Sequence, residues 1–323
     1  MHLMDPQRRL ILTSAAGLTL AGLSACQRPE PLVRVAGISW VGYAPLYLAR
    51  ELGYFNNAHL RLLELTSNAA SLMALAAGQV EAAALTLDEF LVAREGQIDL
   101  RVIMVFDESA GADVVMVRPD ITRPELLRGR RIGVEDTANG ALMLSRTLDV
   151  AGLRPEDVTK VPLAGPTQVS SYASKQVDAL VSFEPYATQL ARLGALRLLD
   201  SRRFPGAIVD VLAAQSSALA NSPAQFGQLL AGYFQALNLL KTSPAQATTL
   251  MTPTLGINAQ ELTQALKGVH MMNLADNRTL LGGASPGLLP MTQSVATLML
   301  RSSLLRTSPS LDNLTDAHFL PTA

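Results

Sequence analysis

Beyond Leu32 the chain alternates short apolar runs with stretches whose apolar residues recur every three or four positions. Leu32 to Gly37 reads as a strand. Pro45 can occupy a first helical position and Gly53 the residue just past the end, with Leu48 and Leu52 stacked four apart. Leu60 to Leu65 is a second strand, and Ser67-Asn68 caps a helix that runs to Gly78. Ala82 to Leu85 lacks alternation and predicts a strand buried on both faces. Asp88 and Glu89 suit the first turn of the next helix, and Val102 to Phe106 is a further strand.

The middle repeats this grammar. Strands are expected at Arg131 to Val134, Val158 to Leu163 and Ala179 to Val181, and helices at Thr137 to Ala151, Thr167 to Ser174 and Pro185 to Gly194. After about Ser216 only helices are expected: Pro223 to Leu240, Pro244 to Met251, a capping box at Asn258 to Glu261 opening a helix to Lys267, and Leu288 to Leu304. The tail past Arg306 reads as polar and partly disordered. Two strand-helix blocks imply two α/β lobes with mainly parallel sheets.

The 323 residues exceed the usual size of one hydrophobic core, which agrees with two lobes. Hydrophobic residues make up 49% and charged residues 16%, a globular composition. A net charge of −1 offers no footprint for nucleic acid. The N-terminus is different in kind. Arg8 and Arg9 precede an apolar run from Leu10 to Leu23, which is too short to span a bilayer, and then Leu23-Ser24-Ala25-Cys26. Residues 1–25 therefore read as a signal peptide. Their ending resembles a bacterial lipobox, with Cys26, the only cysteine, as the acylated residue and 26–32 as a short tether. This places the protein on the periplasmic side of the cell membrane, lipid-anchored. Gln27 leaves sorting to an outer membrane open.

Five segments in order carry a family resemblance: Trp40 to Phe55, Leu75 to Ala83, Asp107 to Asp113, Leu127 to Glu135, and Gln176 to Tyr186. Together they resemble the periplasmic solute-binding proteins of nitrate, sulfonate and taurine importers, a group that includes binders of thiamine-pyrimidine precursors. The resemblance implies the two-lobed type II periplasmic binding protein fold with two hinge crossings. Lobe one would be 33–117 plus 216–306, lobe two 118–215 with its return crossing strand, and 307–323 a tail. It also implies a monomer that captures a small-molecule ligand between the lobes and presents it to ABC permease and ATPase subunits. The ligand expected first is a sulfonate, taurine or nitrate-like anion. The alternatives are a pyrimidine or flavin precursor, or a sensor role with a membrane signalling protein.

In such sheets ligands bind beyond the carboxyl ends of strands. Trp40, Gly42 and Tyr43 follow the first strand, with a helix N-terminus beyond Pro45 suited to an anion. Thr86 follows the third strand, and Asp88 serves equally as a helix first-turn residue or a ligand group. Asp107 and Ser109 are assigned to the cleft and Asp113 to hinge structure. Thr137 and Asn139 open a second donor nest, and Glu184 and Tyr186 follow another strand. No catalytic residue, metal site or cofactor is expected. His2, His59, His270 and His318 are scattered, and no P-loop, dinucleotide fingerprint or nucleophile elbow occurs. An enzyme of the same fold is the least favoured reading.

Overall fold

The structure, a computed structural model, describes residues 31–322. The signal-peptide and Cys26 readings, and most of the tether, lie outside the described residues. Among these no helix is long and apolar enough to cross a membrane.

Eleven strands form two sheets among the described residues. They are β1 (Val33–Gly37), β2 (Leu60–Glu64), β3 (Ala82–Thr86), β4 (Leu100–Ser109), β5 (Asp113–Val117), β6 (Arg131–Val134), β7 (Thr159–Pro162), β8 (Ala179–Phe183), β9 (Leu196–Asp200), β10 (Val209–Gln215) and β11 (Val269–Met271). The first sheet has the order β11-β4-β10-β3-β1-β2 and the second β7-β6-β8-β5-β9. Helices α1 (Ala44–Glu51), α2 (Asn68–Ala76) and α3 (Leu87–Glu95) serve the first sheet. Helices α4 (Ala138–Ala151), α5 (Gly165–Ala173) and α6 (Tyr186–Arg192) serve the second. The C-terminal set is α7 (Ser216–Asn221), α8 (Pro223–Thr242), α9 (Pro244–Leu255), α10 (Ala259–Ala265), α11 (Leu274–Leu281) and α12 (Leu288–Arg301).

Alternation along the strands divides each lobe's core into two layers. In β3, Ala82 and Ala84 pack in one layer while Ala83 and Leu85 pack in the other. The first layer holds α1 and α8 residues such as Leu48, Phe226 and Tyr233; the second holds Phe90, Val295 and Met299 from α3 and α12. The second sheet repeats the device, with Val115 and Val117 on one face and Val114 and Met116 on the other. Local signals behave as their chemistry dictates. Ser67 accepts from Ala70 N at 3.1 Å, Thr137 accepts from Gly140 N at 3.0 Å, and Gly152 closes α4 in the left-handed region at φ 62°.

Four expectations need correction. Both sheets are mixed rather than mainly parallel. β10 runs antiparallel to β3 and β4, and β5 antiparallel to β8 and β9, because the crossing strands enter each sheet against its βαβ direction. The lobe boundary shifts as well. β5 belongs wholly to the second sheet and β10 wholly to the first, so the crossings fall near Ala110–Ala112 and Pro205–Ile208 rather than at 117 and 215. The stretch after Ser216 also contains a strand, β11, which edges β4. Finally, the tail is strapped to the fold: Val102 N donates to Leu314 O at 2.9 Å, Asp316 N donates to Val102 O at 2.9 Å, and Leu314 and Phe319 are buried.

Candidate ligand-binding site

A narrow cavity of about 20 Å³ lies between the two sheets. The first lobe supplies Ile38, Trp40, Tyr43, Asn68, Thr86 and Asp210; the second supplies Asp113, Glu135, Thr137, Asn139 and Phe183; Ile208 joins from the return crossing. Thr86 ends β3, and Trp40, Glu135 and Thr137 stand just past the carboxyl end of a strand, where side chains project beyond the sheet edge. None of the twelve lining residues is an arginine, lysine or histidine.

A buried polar network floors the cavity. Trp40 Nε1 donates to Asp107 Oδ2 at 3.3 Å, and the Tyr43 hydroxyl donates to Asp210 Oδ1. Asp107 and Asp210 face each other across the β4–β10 ladder, and both carboxyls are pushed up by burial. Two like charges side by side in a dry floor disfavour double ionisation. Gly42 permits this arrangement, since a Cβ there would lie 2.0 Å from Asp107 Oδ2 and 2.3 Å from Trp40 Nε1. Burial also raises Asp113 to about 6 and Glu135 to about 7. Asn139 Nδ2 donates to Asp113 Oδ1 at 3.1 Å, and Glu135 Oε1 accepts from Gly165 N at 2.6 Å. The Asn68 side-chain oxygen is buried with no partner. Among the described residues, no three of His, Cys, Asp or Glu are grouped as a metal would need.

The lobes touch across the cleft. Ala138 N, at the start of α4, donates to Glu89 Oε1 of α3 at 2.7 Å. Trp40 meets Phe183 edge-on at 6.0 Å, Ser145 Oγ lies 3.2 Å from Ser302 Oγ, and Arg192 pairs with Glu261.

Of the residues singled out from sequence, Trp40, Tyr43, Thr86, Thr137 and Asn139 line the cavity. Gly42 and Asp107 lie in its floor. Tyr186 packs on Phe183 at 5.3 Å, beside the lining. Ser109 lies elsewhere, in the hinge: its hydroxyl sits 2.9 Å from Ser201 Oγ and accepts from Asp113 N at 3.1 Å. Glu184 is turned away, accepting from Thr188 N at 3.0 Å and pairing with Arg197 at 3.4 Å. Asp88 is fully buried at the start of α3 and is not among the lining residues. Asp113, read as hinge structure, faces the cavity. Sequence reasoning missed Glu135, Asn68 and Asp210. Glu135 carried a usable signal, its place just past β6. Asp210 carried none, being inside a strand.

A family model described as "NMT1/THI5 like" matches residues 40–247. The chain belongs to this family. The taurine-binding periplasmic protein of Escherichia coli (strain K12) is 26% identical over 137 residues, 42% of each chain. This chain thus spans under half the length of the curated relatives it matches. The alkanesulfonate-binding protein of Xanthomonas axonopodis pv. citri, solved with MOPS, superposes with a TM-score of 0.73 at 18% identity, covering 87% of this chain and 96% of that one. A desulfurization enzyme superposes with a TM-score of 0.65 at 20% identity, covering 90% and 98%. At such identities the likeness shows the fold, a two-lobed periplasmic binding protein fold that binding proteins and an enzyme share.

Proposed function

We propose that the chain is the solute-capturing component of an ABC importer, exported and held at the membrane through acylated Cys26. The observation that carries this reading is the narrow cavity lined from both lobes, with the lobes joined by two crossings. Such a joint closes over a solute by hinge motion and presents a new composite surface to permease and ATPase partners. The named ligands of relatives support a small solute, with sulfonates and taurine first. The acids in the lining favour a second reading, a receptor for a nitrogen heterocycle, because a carboxylate facing a sulfonate opposes binding.

The test is a thermal-shift screen of the full chain against taurine, alkanesulfonates, nitrate, amines and pyrimidines, with recovery of the solute by mass spectrometry. A saturable rise in Tm with the solute unchanged is the expected result. Conversion of the solute would overturn the receptor reading. Mass spectrometry of Cys26→Ser, lacking the acyl mass of the native chain, tests the anchor; an unacylated native chain would refute it.

A further inference from the structure

Relatives with named ligands include taurine- and alkanesulfonate-binding proteins, yet this cavity carries Asp113, Glu135 and Asp210 and no basic residue. Acids alone would not identify a ligand. Two further observations do. Asn68, 95% buried and part of the lining, has a side-chain oxygen with no partner, an acceptor waiting for a donor. The walls are aromatic: Trp40, Tyr43 and Phe183 line the cavity, and an aromatic face attracts a cation. An acceptor-rich lining with aromatic walls and no positive counter-charge is complementary to a ligand that brings both positive charge and N–H groups.

We infer that the cleft takes a small organic cation, an ammonium or amidinium, whose N–H groups bond Asp113, Glu135 and Asp210 against the Trp40 and Phe183 rings. This rests on the solute-receptor reading and names its ligand class. The positions of the acids set the geometry. Asp113 and Glu135 come from the second lobe and Asp210 from the first, so one cation meets acidic side chains on both sides of the cleft. The ligand thereby supplies the attraction that holds the lobes shut. A simple anion has no basic partner here. Taurine, a zwitterion, would bind through its ammonium end.

Three matched probes separate the possibilities in the full chain: ethylamine (cation), taurine (zwitterion) and isethionate (the hydroxyl analogue of taurine). Acetamidine and nitrate complete the set. Trp40, the sole tryptophan, reports binding by its emission. The expected result is saturable binding of ethylamine or acetamidine, binding of taurine, and none of isethionate or nitrate. Asp113→Asn should weaken binding at least ten-fold. Glu135→Gln should weaken it too, and covers the case in which Asp113→Asn does not fold. Saturable binding of isethionate or nitrate without the cations overturns the inference and leaves the receptor reading standing. No binding by any probe overturns the inference as well, and the wider solute screen then judges the receptor reading separately.

Discussion

Gly42→Ala tests the floor of the cleft most sharply. The added methyl would sit 2.0 Å from Asp107 Oδ2, 2.3 Å from Trp40 Nε1 and 2.7 Å from Asp107 Cγ. Asp107 cannot retreat, because β4 is paired on both sides, to Asp210 and to Met271. The loop carrying Trp40 must therefore move, and the 3.3 Å hydrogen bond to Asp107 is lost. Leaving that buried acceptor unsatisfied costs about 1–3 kcal/mol, and overpacking costs about another 1–3 kcal/mol. The total is about 2–6 kcal/mol, or a fall in Tm of roughly 4–12 °C at about 2 °C per kcal/mol for a chain of this size. Circular dichroism reads the melting and Trp40 emission reads the local displacement, since that ring is only 4% exposed. Gly227→Ala is the matched control: it lies in α8 with nothing within 4 Å of its added Cβ, and should stabilise by about 0.4–1 kcal/mol. If Gly42→Ala melts within about 2 °C of the native chain with unchanged emission, the described floor is wrong.

Other predictions concern the acids and the closed cleft. Folded-state values raised by burial mean that the native chain binds more protons than the unfolded one between about pH 4 and 7. Stability is therefore greatest near the lower end and falls as pH rises through that window. For Asp113, raised from 3.8 to about 6, the loss is about 3 kcal/mol. Asp113→Asn should flatten the Tm–pH profile, and a native Tm that climbs from pH 4.5 to 8 would refute this. Glu89→Ala removes the acceptor for Ala138 N, weakening the closed state by about 1–3 kcal/mol, so small-angle scattering should show a larger radius of gyration. Arg192→Ala breaks a pair whose arginine is 46% exposed, worth about 0.2–1 kcal/mol, and should leave the radius unchanged. Equal effects from the two variants would contradict the assignment of Glu89 as the stronger latch.

The lobes and most helices were legible because their signals are local. Ser67, Thr137, Gly152 and the Asn258–Glu261 capping box each act within one turn. Long-range pairing was less legible. β11 is three residues long and exists because its backbone completes the free edge of β4, and the tail is ordered by two hydrogen bonds to Val102, more than 200 residues away. The site divides the same way. Trp40, Thr86 and Thr137 were found from their place after strands. Asp210 reaches the cavity from the second residue of β10, and Asn68, read as half of a helix cap, leaves the capping to Ser67 and faces the cleft. Ser109 was misplaced because a polar residue before a crossing strand reads alike whether it serves a hinge or a ligand, and only the 2.9 Å contact with Ser201 tells them apart.

The central claim is that the cleft captures one small solute without changing it. Trp40 emission, followed while the full chain is titrated with the ammonium, amidine, sulfonate, nitrate and pyrimidine probes, tests this directly. The account predicts a saturable change at one site per chain for at least one probe, with that solute recovered intact and its affinity reduced in Asp210→Asn. An emission unmoved by every probe, or a solute chemically converted on the protein, would contradict it.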